Sequence, residues 1–99
     1  MRVIAKGTLR EFWQKPEYAD SEGALKAWHS EAINAKWENP ADVKQHYASA
    51  SVLKSGRLVF NIAGNKYRLV VQVNYGAKII FIRFIGTHKQ YDEIDAEVI

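Results

Sequence analysis

Arg57, Lys66, Arg68, Arg83, His88 and Lys89 all fall between residues 57 and 92, along three apparent strands and the exit from the last. Cations carried by a sheet rather than by a floppy tail suit a polyanion. Arginine can fork two N–H groups onto one phosphate, whereas lysine supplies a mobile point charge. His88 follows Gly86-Thr87 where the last strand ends, and an imidazole that titrates near neutral pH can exchange a proton there. Arg83 stands among Ile and Phe, where a guanidinium requires a carboxylate or a ligand. Tyr91 and Asp92 follow His88 by three and four residues. If Thr87 or His88 opens a final helical turn, Tyr91 returns beside the imidazole, as a ring for stacking, a phenol for proton transfer, or a core residue packed with Ile94 and Val98.

The rest of the composition narrows the chemistry. The 99 residues suffice for one domain, residues 1–99, and any site must lie on the outside or edge of its single core. A formal charge of +3, from 14 Lys and Arg against 11 Asp and Glu, permits a nucleic-acid partner without requiring one. The absence of cysteine removes disulfides, thiolate chemistry and Cys-based zinc sites. His29, His46 and His88 are widely spaced, Asp92 and Asp95 are too few for an oxygen-ligand cluster, and there is no H-E-x-x-H. No metal and no cofactor are therefore expected. The first residues lack the apolar region of a signal peptide and no run approaches a membrane span, so a soluble cytoplasmic protein is expected.

The elements that must position these residues are read from periodicity. Val3-Ile4-Ala5 reads as a short strand, and Thr8-x-x-Glu11 has the form of a capping box ahead of a short helix through Leu9, Phe12 and Trp13. Pro16 either interrupts that helix or starts the next element. A second helix is expected from Asp20 or Ser21 to about Trp37, burying Leu25, Trp28, Ala32 and either Ala35 or Lys36, with a supporting Glu22–Lys26 pair. Asn39-Pro40-Ala41-Asp42 signals a third, short helix that carries Val43 and Tyr47 and fades into Ala48-Ser49-Ala50-Ser51. The three tryptophans sit on helical stripes and suit a core or a partner surface better than a base platform, and His29 and His46 suit solvated or interhelical roles.

From Arg57 the period changes to two. Residues 57–62, 67–75 and 78–85 read as three antiparallel strands joined by turns at 63–66 and 76–77. Tyr67, Leu69, Val71, Val73 and Tyr75 take the face toward the helices, and Arg68, Val70, Gln72 and Asn74 the other. In the last strand Ile80, Ile82 and Phe84 take one face and Ile79, Phe81, Arg83 and Ile85 the opposite one, which places Arg83 on the side of Arg68. That strand is apolar on both faces, so a partner, a terminal segment or an aromatic rim is expected to cover part of it. The expected class is α+β, helices on one face of a small twisted, mostly antiparallel sheet of four strands.

Two paired signatures, N-x-x-G-N-x-x-R at residues 61–68 and G-T-H-x-x-Y-D at residues 86–92, lie within F-N-I-A-G-N-K-Y-R-L-V-V and I-R-F-I-G-T-H-K-Q-Y-D. Together with the opening V-I-A-K-G-T-L-R-E-F-W, the W-E-N-P-A-D helix start and Lys44, they resemble the HigB branch of the bacterial RelE-like toxins over nearly the whole chain. That resemblance implies a RelE-like fold and a metal-independent endoribonuclease, an mRNA interferase that cuts messages on the ribosome. It also implies inhibition by a cognate antitoxin, in this branch commonly one with a helix-turn-helix DNA-binding domain, so that operator DNA is met only through the complex. Carried over to this chain, Arg68 matches the strand arginine that grips the scissile phosphate and Lys66 the basic residue of the preceding turn. His88 and Lys89 stand where relatives keep a histidine or arginine after the final strand, and Tyr91 stands near their terminal tyrosine. His88 is then general base or acid. A non-catalytic RNA-binding module and a structural interaction protein are the competing classes, since a small sheet bearing cations can bind RNA without cutting it.

Overall fold

A computed structural model describes all 99 residues. Strand β1 (Arg2–Ile4) leads into helix α1 (Lys6–Trp13), a 3₁₀ helix (Pro16–Ser21), α2 (Glu22–Asn34) and α3 (Pro40–His46). Strands β2 (Ser51–Val52), β3 (Arg57–Ile62), β4 (Tyr67–Asn74) and β5 (Ile79–Thr87) come next, and a one-turn helix α4 (His88–Asp92) succeeds the last strand. The α+β class holds, with the helices packed on a twisted sheet, but the sheet has five strands in the order β1-β5-β4-β3-β2. The β1–β5 pair is parallel and the others antiparallel. The strand missing from the four-stranded expectation is β2, at the end of the small-residue run where a helix is expected to fade. Two residues cannot hold a strand alone; Ser51 and Val52 do so because β3 offers Val59 and Leu58 as partners.

Helix starts obey burial more than local motif. The expected capping box does not form: α1 begins at Lys6 behind extended Ala5, and Thr8 already donates its amide to the Ala5 carbonyl. The early start sets a full turn ahead of Leu9, Phe12 and Trp13, all buried. Pro16 opens the 3₁₀ helix, which absorbs Asp20 and Ser21, so α2 starts one residue later than expected and ends at Asn34. Ala35 turns extended there, and the Met1 ammonium donates to the carbonyls of Ala32, Ile33 and Ala35, satisfying acceptors that a helix end leaves open. The Asn39 cap forms as expected, its side chain accepting from the Asp42 amide.

The main core lies between helices and sheet. Leu25, Trp28 and Ala32 of α2 meet Phe60, Tyr67, Leu69 and Val71, with Trp37 and Val43 filling the side. All three tryptophans are buried. His46 and Tyr47 stack on each other and both reach Glu31, which makes His46 an interhelical tie. His29 is half-buried on α2, and burial, with the Lys6 charge, lowers its pKa.

A second, smaller cluster covers the outer face. Val59, Val70 and Ala96 are buried there with Leu53, Phe84, Tyr91, Ile94 and Ile99 packed around them. The cover expected over the apolar last strand is thus the C-terminal segment, although Val98 is 74% exposed and takes no part. A bulge between Val70 and Val71 skips Arg83 in the ladder: Val70 faces Phe84 while Val71 faces Ile82. Beyond it Phe84 turns to the outer cluster and Ile85 packs toward the main core, reversing the simple alternation expected for residues 84 and 85.

Candidate active site

The site residues gather where β4 begins and β5 ends. Arg68 pairs with Asn61 of β3 on one side and Gly86 of β5 on the other, on the outer face. The residue is half-buried, and its guanidinium donates to the Asn65 carbonyl at 3.3 Å where the contact is exposed. The β3–β4 turn, with Ala63 and Gly64 at positive φ, delivers Lys66 to the same end. The Lys66 carbonyl accepts from the His88 amide at 3.3 Å, so the turn and α4 are joined directly.

The start of α4 is held by its own chemistry. Thr87 and Gln90 form a capping box, the threonine hydroxyl accepting from the Gln90 amide and the Gln90 side chain accepting from the Thr87 amide. This sets His88 and Asp92 one turn apart, with Nδ1 of the imidazole 3.2 Å from the Asp92 carboxylate. The carboxylate is an ion-pair partner for the imidazole when the ring is protonated, and it lies on the Nδ1 side, away from Nε2. The His88 side chain is 52% exposed. Lys89 is exposed beside it, and Tyr91 is half-buried against the outer cluster.

Gly86 permits this assembly. A Cβ there would lie 2.5 Å from the Phe84 ring and 2.6 Å from Oε1 of Gln90, so only glycine lets the ring and the α4 cap lie flat on the strand beside Arg68.

Asp20 is the participant that sequence reading missed. Its carboxylate bonds Lys66 through one oxygen and accepts from the Tyr67 phenol at 2.5 Å through the other. Local pattern marks it only as a helix-start residue, and nothing links it to a lysine 46 positions away. Tyr18, from the same 3₁₀ helix, stacks on Phe12, and its hydroxyl accepts from Nε2 of the Gln90 side chain at 3.2 Å. The 3₁₀ helix therefore ties both the lysine turn and α4. Arg83, by contrast, sits apart at the mid-strand bulge, bonded to Gln72 at 2.7 Å and resting over the Phe81 ring. The expected need for a carboxylate or ligand does not arise, because the bulge leaves its guanidinium exposed.

These contacts set a pH window. Lys66, and then the Tyr67 phenol, hold the Asp20 carboxyl below its ordinary value of 3.8. Asp20 raises Lys66 above 10.5, and burial followed by Asp20 raises Tyr67 above 10.0. A depressed carboxyl gives stability that is present above its unfolded value and lost as pH falls through the folded one. A raised lysine or tyrosine gives stability that is lost as pH rises through the folded value. The stability gap between the parent and Asp20→Asn is therefore expected to be widest from about pH 5 to 9. It should narrow on both sides, measured by urea unfolding across pH; a gap independent of pH would contradict the linkage.

The fold is thus a helical layer on a mostly antiparallel sheet that gathers an arginine, a lysine turn and a histidine at one end. The chain belongs to the HigB toxin family, the RelE-like toxic component of a toxin-antitoxin system, whose family model matches residues 21–94. All five candidate residues fall within the match. The mRNA interferase toxin HigB of Escherichia coli (strain K12) is 28% identical over 94 residues, covering 93% of this chain and 88% of that protein. The mRNA interferases HigB of Escherichia coli O157:H7 and Shigella flexneri are similar to the same extent. No helix of the fold is long and apolar enough to cross a membrane.

Proposed function

We propose that this toxin is an endoribonuclease that cleaves mRNA on the translating ribosome, using the substrate's own 2′-hydroxyl as nucleophile and no metal ion. The observation that carries the reading is the joining of the lysine turn to α4 through the Lys66 carbonyl and His88 amide, with Arg68 one strand pair away on the same face. His88 serves as general base or acid. Its Nε2 takes the 2′-hydroxyl proton or supplies one to the departing 5′-oxygen, with Asp92 steadying the ring. The 2′-oxygen attacks phosphorus, the bond to the 5′-oxygen breaks, and the charge gathering on the phosphoryl oxygens meets Arg68. Lys66 and Lys89 are auxiliary cations, Lys66 the weaker because Asp20 already shares its charge. Tyr91, anchored in the outer cluster, orients or stacks a nucleotide. Family membership and relatives named mRNA interferases support the substrate. The expected partners are the ribosome and a cognate antitoxin, one with a helix-turn-helix domain through which the complex reaches operator DNA.

The test is in vitro translation with purified protein, mapping new mRNA ends. Codon-phased cuts with a 2′,3′-cyclic phosphate and a 5′-hydroxyl, unaffected by EDTA beyond its effect on translation itself, are expected. Ends bearing a 3′-hydroxyl and a 5′-phosphate would sink the mechanism, and an intact message from folded protein would favour RNA binding without cleavage.

A further inference from the structure

At the opposite end of the outer face, the β2–β3 turn leans on β4 and leaves an open groove of about 470 Å³ lined by Ser55, Gly56, Gln72, Asn74 and Phe81. Its volume falls within the range of small-molecule sites. Gly56, at φ +73°, builds the wall: a Cβ there would stand 2.8 Å from the Val73 carbonyl, and the Gly56 carbonyl instead accepts the Val73 amide. Gln72 crosses the floor, donating to the Ser55 carbonyl and accepting from Nη2 of Arg83. The guanidinium, 5.5 Å from the Phe81 ring centroid, is fixed from two sides and still exposed. The Asn74 side-chain oxygen is taken by the Ala77 amide, which turns its nitrogen into an available donor.

Charge singles out the occupant. The ion pairs of the molecule involve Lys26, His46, Lys66 and His88. Arg57 gives its guanidinium to the Ile99 carbonyl. Arg68 and Arg83 are thus the outer-face arginines of β4 and β5 without a carboxylate, Arg68 at the site and Arg83 at the mid-strand bulge, from which it reaches Gln72. Gln72 lies four positions beyond Arg68, about 13 Å along β4, which is a span of a few nucleotides. Between them the C-terminal segment closes over Val70, while Phe84 stays half-buried on the β5 flank.

We propose that this groove is a second nucleotide subsite, in which Arg83 holds a backbone phosphate and the groove floored by Gln72 receives a base of the single strand whose scissile phosphate lies at Arg68. The inference rests on the proposed RNA cleavage and adds the direction of the strand, along β5 from α4 toward the β4–β5 turn. A guanidinium backed by an aromatic ring is a sequence-tolerant platform for unpaired RNA.

The experiment measures binding of fluorescein-labelled 2′-O-methyl RNA, which cannot attack its own phosphate, as a trimer and as a mixed-sequence octamer, across salt. The parent is expected to bind the octamer more tightly than the trimer. Arg83→Gln should weaken octamer binding about tenfold and reduce the slope of log affinity on log salt by about 0.7, with trimer binding unchanged. Gln72→Glu, which sets a carboxylate against the guanidinium, should do the same without removing it. On cleavable message Arg83→Gln should raise KM and leave kcat alone. Octamer affinity and salt slope equal to the parent's in both variants would overturn the subsite and leave the RNA reading standing, including where the variants lose a protein partner instead. A folded parent that binds neither oligonucleotide would overturn both.

Discussion

His88→Ala and Arg68→Ala are each expected to lower the rate of message cleavage by ~10² to 10⁴ while the protein stays folded. The two losses have different origins. The imidazole is the group assigned to exchange the proton; where it serves as base, the loss should be smaller at high pH, where hydroxide replaces it. Without Arg68 the charge on the phosphoryl oxygens goes unmet, and lysine should restore little, because a point charge lacks the two-pronged fit to phosphate. Neither side chain bears much structure: Arg68 donates to one turn carbonyl and His88 meets one exposed carboxylate. Melting temperatures near the parent's are therefore expected, and rates compared at matched folded fraction give the test. Retention of most activity by His88→Ala would show that another side chain moves the proton.

Phe60→Ala should cost about 3–5 kcal/mol of folding stability. The ring is 1% exposed, edge-on to Trp28 at 5.4 Å and to Tyr47 at 5.1 Å, and stacked with Trp37 at 6.2 Å. Three bulky neighbours from α2, the α2–α3 link and the end of α3 cannot all collapse into one vacated volume, so a cavity remains. Against a total of about 5–15 kcal/mol this is a large share. Denaturant unfolding should show a lowered midpoint with an unchanged m-value. Val52→Ala, on the exposed edge strand at 47% exposure, is the internal control and should stay within about 0.5 kcal/mol. Equal effects at the two positions would contradict the placement of the core.

The strand segments were legible because alternation is a local signal: Arg57–Ile62 agrees with the expected range, and β4 and β5 differ by one or two residues at their ends. The same signal placed Arg68 and Gln72 on the outer face, and the Asn39 cap was legible because a cap is a contact across three residues. The capping box at Thr8 failed for the converse reason. A motif offers hydrogen bonds to a helix start, but the start itself goes where Leu9, Phe12 and Trp13 meet the sheet. Alternation also could not see the bulge at Val70/Val71, since an extra residue on one strand is defined only by its partner.

Residue type and spacing pointed to the α+β class, the three central strands, the side of the sheet that carries Arg68, and a basic set around residues 57–92, from which the family resemblance singled out Lys66, Arg68, His88, Lys89 and Tyr91 as candidates. Only the tertiary structure decided that Asp20 neutralises Lys66, that the C-terminal segment covers Val70, that β2 exists, and that Arg83 stands apart over Phe81. The division reflects the range of the forces. Hydrophobic period, turn preference and capping act over a few residues and are written in order along the chain. Ion pairs, strand partners and apolar cover join residues far apart in sequence, and their partners are chosen only when the folded chain brings them together.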